Sequence, residues 1–376
     1  MLLLVGAWAY SPVHAVQYAI TDLGEGFFPI AMNNVGQVVG ERNDATNFRS
    51  EPWLYDNGAM RPLDDGAAYE ILVRGINDRG QVVGSRENPA ESLHASLWDP
   101  AEGWISLEPP GVPSSFAADI NNHGAVAIRL HGVSGVRQPS GAVIPLGDLG
   151  SGYADAVALS DAGHVVGFAG TADQSAHHAF IWREGVMRDL NVAAHVPEGV
   201  TDFECAYDVN NAGLAVGVAL VYPPNADPLS YGFLASTDAV TVLPGVTLLA
   251  VNDRGQAVGS MSVPESPPIG ANTQTVVLYD QGAVFDLNEL IATDSQFMIT
   301  GAMDINQAGQ IVATGFLKSR NTEDLFHGLL LTPVAEPLSS WLGLTAIASI
   351  AGISRTVRST ARSGRQLLPG HAHCAQ

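Results

Sequence analysis

Three short strings set an acid two residues ahead of an asparagine and close to a glycine: Asp119-x-Asn121, Asp208-x-Asn210 and Asp304-x-Asn306. Carboxylate and amide oxygens at alternate positions before a glycine are the opening of a calcium loop. A complete loop needs another oxygen two residues on and a later bidentate carboxylate, and that next position holds His123, Ala212 or Ala308. Turn formation by asparagine accounts for these residues better than calcium does. His94, His178 and His327 form a second set, at or beside one position of a recurring apolar string. A ring of such histidines around a channel would bind metal, but strand side chains bonding a neighbouring repeat explain them more simply. His177 and His178 are adjacent, so on a strand they point to opposite faces and cannot ligate together. The string His371-Ala372-His373-Cys374 carries ligating side chains at the chain end, where processing or disorder is the expectation. No nucleophile elbow, zinc-protease helix motif, phosphate loop or dinucleotide fingerprint occurs. No catalytic, cofactor-binding or metal-binding residue is therefore assigned, and no cofactor is expected.

The elements that would position these residues come from one motif met seven times. It reads Met32-Asn33-Asn34-Val35-Gly36-Gln37-Val38-Val39-Gly40, and recurs around Gly80, Gly124, Gly163, Gly213, Gly255 and Gly309. The third and seventh copies lack the last glycine and the fourth begins with Ser160 in place of asparagine. The central glycines are 44, 44, 39, 50, 42 and 54 residues apart. Asparagine starts a turn by bonding the backbone ahead of it, and the central glycine accepts the positive φ of a type I turn with a G1 bulge. The flanking Ile-Asn and Val-Val segments then form two antiparallel strands. Val-Val-Gly predicts a strand covered on both faces, with glycine where another backbone comes close.

A second pair of strands follows most turns, as in Glu51-Pro52-Trp53-Leu54-Tyr55, His94-Ala95-Ser96-Leu97-Trp98 and His178-Ala179-Phe180-Ile181-Trp182. Short polar turns such as Asp56-Asn57-Gly58 and Arg183-Glu184-Gly185 lead to strands ending near Leu63, Leu107, Leu146, Leu190, Leu243 or Leu287. Four strands in about 45 residues is the pattern of a propeller blade. Tyr18 to Gly24 reads as a fourth strand, whereas Phe326 to Leu331 reads as a third. The first would complete the blade of the last and close the ring, removing the sheet edges that an open array exposes. The expected fold is an all-β, seven-bladed β-propeller, and an open β-solenoid is the competing architecture.

The chain has 376 residues, with 40 Gly, 22 Pro and 15% charged residues, which favours many short strands over long helices. Its net charge is −21. From Glu336 onward there are four arginines and one acid, which leaves 13 basic and 37 acidic residues upstream. Such a body is repelled by nucleic acid and by anionic membranes, so nucleic-acid binding is not expected. Two cysteines, Cys205 and Cys374, build neither a disulfide framework nor a multi-cysteine metal site.

The ends point to export. Leu2 to Tyr10 is apolar, and Val13-His14-Ala15 suits a signal-peptide cut that starts the mature chain near Val16, so residues 1–15 read as a signal peptide. At the other end, the apolar run 338–353 lies within an uncharged stretch, 337–354, whose 18 residues are just enough for one bilayer span, and Arg355, Arg358, Arg362 and Arg365 would hold their flank on the cytoplasmic side. Ala335-Glu336-Pro337, the span and the arginines resemble the PEP-CTERM sorting signal of exported bacterial proteins. Glu336 and Pro337 match it, whereas Ala335 replaces the first proline and eleven residues continue beyond Arg365. That resemblance implies an exosortase-type sorting enzyme as a partner and a transient or permanent membrane anchor. His178-Ala179-Phe180 and the Asn-x-x-Gly-x-Val-Val-Gly string resemble the HAF repeat of extracellular bacterial proteins, over residues 18 to about 332.

The domain reading is thus a signal peptide at 1–15, a repeat domain at 16–333 and a sorting tail at 334–376. The expected protein is a bacterial surface or extracellular-matrix protein, a non-enzymatic binding or structural module for a glycan or protein. A propeller hydrolase or lyase acting on extracellular polysaccharide is the alternative. Since turns and packing account for the repeated residues, function is expected where the repeat breaks, with Ala193–Tyr207, Val221–Ser230 and Ser262–Thr273 as the leading insertions.

Overall fold

The computed structural model describes residues 16–43, 50–63, 66, 70–87, 92–109, 111–172, 177–193, 202–221, 229–263, 273–318 and 326–334. The chain divides into Met1–Val334 and Ala335–Gln376, and the second unit lies outside the described residues. Seven four-stranded antiparallel sheets make up the first unit, as the repeat requires.

Strand β1 (Gln17–Glu25) stands apart at the start. Blade 1 follows with β2 (Phe27–Met32), β3 (Val38–Asn43), β4 (Ser50–Asp56) and β5 (Ala59–Pro62). Blade 2 has β6 (Ile71–Ile76), β7 (Val82–Glu87), β8 (Leu93–Asp99) and β9 (Gly103–Ser106). Blade 3 has β10 (Ser115–Ile120), β11 (Val126–Leu130), β12 (Val133–Arg137) and β13 (Val143–Pro145). Blade 4 has β14 (Gly150–Leu159), β15 (Val165–Thr171), β16 (His177–Arg183) and β17 (Val186–Asp189), then a single helical turn α1 (Leu190–Ala193). Blade 5 has β18 (Asp202–Val209), β19 (Ala215–Val221), β20 (Leu229–Ala235) and β21 (Val240–Pro244). Blade 6 has β22 (Val246–Val251), β23 (Ala257–Val263), β24 (Thr273–Asp280) and β25 (Ala283–Asp286). Blade 7 has β26 (Phe297–Ile305), β27 (Ile311–Leu317) and β28 (His327–Val334), and β1 is its fourth strand.

The N-terminal strand therefore closes the ring. Gln17 pairs with Val334 and Glu25 with His327, so one sheet joins the two ends of the unit. Tyr18 N–H also donates to Leu290 O at 2.8 Å, tying the closing strand to the link between blades 6 and 7. The third strand of blade 3, β12, has no counterpart in the strands read from the sequence. A tight turn with positive φ at His131 (46°) and Gly132 (84°) joins it to β11.

Each asparagine turn has the expected geometry. Gly36 N–H donates to Asn33 O at 3.2 Å and Asn33 N–H to Gln37 O at 3.0 Å, and the seven central glycines have φ between 73° and 83°. The core lies between blades. Seven apolar clusters fill the seven seams, as where Val39, Leu54 and Leu63 of blade 1 meet Val73, Val82 and Trp98 of blade 2. Neighbours thus cover both faces of every sheet, which is why the second strands read Val-Val rather than alternating.

All seven innermost strands carry a β-bulge at one place, three residues before the motif asparagine or Ser160, as between Val73 and Gly75 or Ala117 and Asp119. In the five blades that keep the last glycine of the motif, a carbonyl of the innermost strand comes too close for a Cβ. One on Gly84 would sit 1.9 Å from Leu72 O and one on Gly40 2.2 Å from Phe28 O, whereas blades 3 and 7 carry Ile128 and Ala313 at this position. Gly84→Ala is expected to lower stability by about 1–3 kcal/mol, as overpacking does. A urea midpoint equal to wild type would show that the bulge yields without cost.

Candidate functional site

The motif turns meet around the axis at one end of the ring, where they line a polar cavity of about 140 Å³. Its walls are built in two tiers. In the upper tier the motif asparagine uses both ends of its amide. Its Oδ1 accepts N–H groups of its own turn, as Asn252 does from Arg254 (3.0 Å) and Gln256 (3.1 Å). Its Nδ2 donates to the asparagine or serine carbonyl of the next blade. The chain of bonds runs Asn33 to Asn77 O, Asn77 to Asn121 O and Asn121 to Ser160 O, at 2.9–3.2 Å. It resumes from Asn210 to Asn252 O, Asn252 to Asn306 O and Asn306 to Asn33 O, at 3.0–3.2 Å. Blade 4 interrupts it, because Ser160 has no amide: its Oγ accepts His164 N–H at 3.2 Å and so serves only its own turn.

The following residue forms a parallel ring in which amides and acids alternate: Asn34, Asp78, Asn122, Asp161, Asn211, Asp253 and Gln307. Asn34 gives its backbone N–H and its Nδ2 to the two oxygens of Asp78, at 2.8 and 3.1 Å. Asn122 binds Asp161 in the same way, and Asn211 binds Asp253. Asp78 and Asp253 in turn donate their backbone N–H to Asn122 Oδ1 and Gln307 Oε1. Seven is odd, so two amides must adjoin once, and Gln307 N–H donates to Asn34 Oδ1 at 3.0 Å.

The lower tier holds the three acids of the calcium-like strings. The bulge turns Asp119, Asp208 and Asp304 toward the following blade. Each has one oxygen for its own blade and one for the next. Asp119 accepts Ile120 N–H (2.7 Å) and Leu159 N–H (2.9 Å). Asp208 accepts Val209 N–H and Val251 N–H, both at 2.7 Å. Asp304 accepts Ile305 N–H (2.7 Å) and Met32 N–H (2.8 Å). Three carboxylates on blades 3, 5 and 7 thus satisfy six equivalent N–H groups, and Ala31, Gly75, Ala158 and Ala250 fill the same position elsewhere.

By surface area these three side chains are half-buried, yet the carboxylates sit deep inside the ring, and depth governs their proton affinity. Burial pushes the Asp119 carboxyl up to about 7, against the pull of the Leu159 and Ile120 N–H groups, with Asp304 and Asp161 adding repulsion. Burial and then repulsion from Asp304 push Asp208 up to about 8. Burial raises Asp304 too, against the Met32 and Ile305 N–H groups. The pattern differs from an acid–base pair, because all three shifts run in one direction.

The histidines lie elsewhere. His94, His178 and His327 do share one position, opposite Arg86, Ala169 and Gly315 of the second strand. Each bonds an acid of its own blade: His94 bonds Glu108, just past β9, His178 bonds Asp189 at 2.8 Å, at the end of β17, and His327 bonds Asp22 at 3.0 Å, within β1. Glu108 also accepts the Ser115 hydroxyl, which is fully buried. Among the described residues no group of three or more His, Cys, Asp or Glu is arranged to hold a metal ion. Glu336, Pro337, the 338–353 segment and His371-Ala372-His373-Cys374 lie outside the described residues. So does most of the three insertions, apart from their strand ends in β18, β19, β20, β23 and β24.

No model of a known protein family matches the chain, and no curated protein matches it. Among solved structures, the β-propeller domain of the Trilobed protease from Pyrococcus furiosus is 11% identical, with 84% of this chain and 95% of that one covered and a TM-score of 0.49. TolB from Acinetobacter baumannii is 14% identical over 58% of this chain and 54% of its own, with a TM-score of 0.41. An acylaminoacyl peptidase from Pyrococcus horikoshii is 11% identical over 78% and 49%, with a TM-score of 0.46. The chain spans about half the length of these last two. The likeness is one of fold and carries nothing about activity.

Two outcomes follow from the axial chemistry. Asn252→Ala strands Asn306 O and the turn N–H groups, at a cost of about 1–3 kcal/mol in denaturant unfolding. Asn252→Ser should cost less, since Ser160 shows that a hydroxyl still holds its own turn, and Asn252→Asp should cost more than serine, having no donor. An aspartate variant as stable as wild type would refute the amide ring. The second outcome concerns pH. Folded carboxyls raised above their unfolded value keep protons that the unfolded chain has lost, so stability falls as pH rises through that window. The melting temperature should be higher at about pH 5.5 than at about pH 8.5, with a flatter slope in Asp208→Ala. A rise across this interval would mean that the backbone N–H groups outweigh burial.

Proposed function

We propose that the chain is an exported bacterial surface or extracellular-matrix protein whose propeller is a non-enzymatic binding or structural module. One observation supports this above the rest: the polar groups that converge at the axial mouth are bonded to one another and to backbone N–H groups. Catalysis by two carboxylates sets their proton affinities apart, one acid and one base. The lower-tier acids are instead raised together, and the candidate bases, His178 and His327, are paired with acids on the outer strands. The apolar run before Val16 and the Glu336-Pro337 signal support the export half of the reading.

The test uses the full chain and the extracellular polysaccharide of a bacterial matrix. Co-sedimentation with the polysaccharide, without release of reducing ends or unsaturated sugars, is the expected result. Turnover that Asp208→Ala or Asp119→Ala abolishes would overturn it in favour of a hydrolase or lyase.

A further inference from the structure

Blade 5 departs from the repeat at two positions that act together elsewhere. In blades 1, 2 and 6 the residue after the turn glycine is Gln37, Gln81 or Gln256. Its Nε2 donates to the aspartate that ends the third strand, Asp56, Asp99 or Asp280, at 3.0, 2.9 and 3.0 Å. This bridge lies against the next blade: Gln37 and Gln256 come within 3.1 and 3.4 Å of where a Cβ on Gly80 and on Gly309 would stand. In blade 5 the two positions hold Leu214 and Ser236. Leu214 still reaches the turn glycine of blade 6, Gly255, but Ser236 is too short to fill the place of an aspartate.

The result is a cavity of about 280 Å³ in the seam between blades 5 and 6, at the end of the ring that carries the turns. It shares no lining residue with the axial mouth. Leu214 and Leu234 give it an apolar floor, and the half-buried Tyr279 forms one wall. Ser236 and Thr241 add polar residues to the lining, and Arg254 also contributes, although its guanidinium turns to the next blade, where Nη2 donates to Gln307 O at 2.8 Å.

The size lies at the lower edge of small-ligand sites, which run from about 300 to 1,000 Å³, so one ring rather than a peptide fits it. An apolar floor and an aromatic wall inside a polar rim complement a molecule with one C–H face and hydroxyls around its edge, which describes a pyranose. A protein of net charge −21 repels anionic sugars, so a neutral one is favoured. We propose that the seam between blades 5 and 6 binds a single neutral pyranose residue of a glycan. This rests on the reading of the propeller as a binding module and gives that module a site.

The test is saturation-transfer NMR of the full chain with the methyl glycosides of glucose, galactose and mannose. At least one should bind, and Tyr279→Ala should weaken it by about tenfold or more. The deciding variant is Leu214→Gln with Ser236→Asp, which rebuilds the bridge of blades 1, 2 and 6. It should abolish binding while melting at or above the wild-type temperature. The proposal is overturned if none of the three glycosides gives transfer to the wild type, or if the rebuilt variant binds as the wild type does. If that variant also keeps wild-type binding to matrix polysaccharide, the seam is wrong and the binding-module reading stands. If the wild type itself does not bind the polysaccharide, that reading falls with it.

Discussion

The ring depends on an amide that can accept and donate at once. Each motif asparagine must fold its own turn, which needs an oxygen, and hold the next blade, which needs an N–H. Aspartate offers only the first, and serine at blade 4 shows the consequence: its turn forms, but the bond to blade 5 is missing. Six such bonds run around the axis in a region where the asparagines are almost fully buried, so each is worth more than at a surface. The apolar seams bring the blades together, and the amides set their order and register.

The odd number of blades shapes the second ring and the lower tier. A carboxylate that takes donors from an adjoining blade is not repeated on that blade, so acids occupy blades 2, 4 and 6 above and, apart from the odd step, blades 3, 5 and 7 below. Each lower carboxylate covers two donors, and the residues between the lower carboxylates remain small, as Ala31, Gly75, Ala158 and Ala250. The same economy stores repulsion, because three buried acids share one axis. That strain is compatible with a ring held by its amides, and it makes protonation favourable to closure.

Much of this architecture was legible in the residues. The Asn-x-x-Gly turn, the doubly covered Val-Val strands and the closing strand at Tyr18–Gly24 are local or pairwise features, and the structure has them. Three features were not legible. The third strand of blade 3, Val133-Ser134-Gly135-Val136-Arg137, lacks the aromatic and histidine signature of its counterparts. The bulge falls on Ile30, Arg74, Ala118, Val157, Tyr207, Leu249 and Met303, a set with no common chemistry, so no residue type announces it. The axial role of Asp119, Asp208 and Asp304 arises only when seven turns are brought together, and the nearest sequence analogy, a calcium loop, was the wrong template for it. The acid partners of the histidines were not legible for a related reason: they lie 11 to 14 residues away along the chain in blades 2 and 4, and at the opposite terminus in blade 7.

The division between repeated and unrepeated residues therefore has a physical basis: repeated polar groups hold the ring, and their loss in one blade opens space. Native-state hydrogen exchange tests this account most directly, read at the six N–H groups that the lower aspartates cover: Met32, Ile120, Leu159, Val209, Val251 and Ile305. The account predicts that they exchange as slowly as the central strand ladders, through global unfolding. Exchange at loop-like rates at these positions, with the ladders still protected, would contradict it.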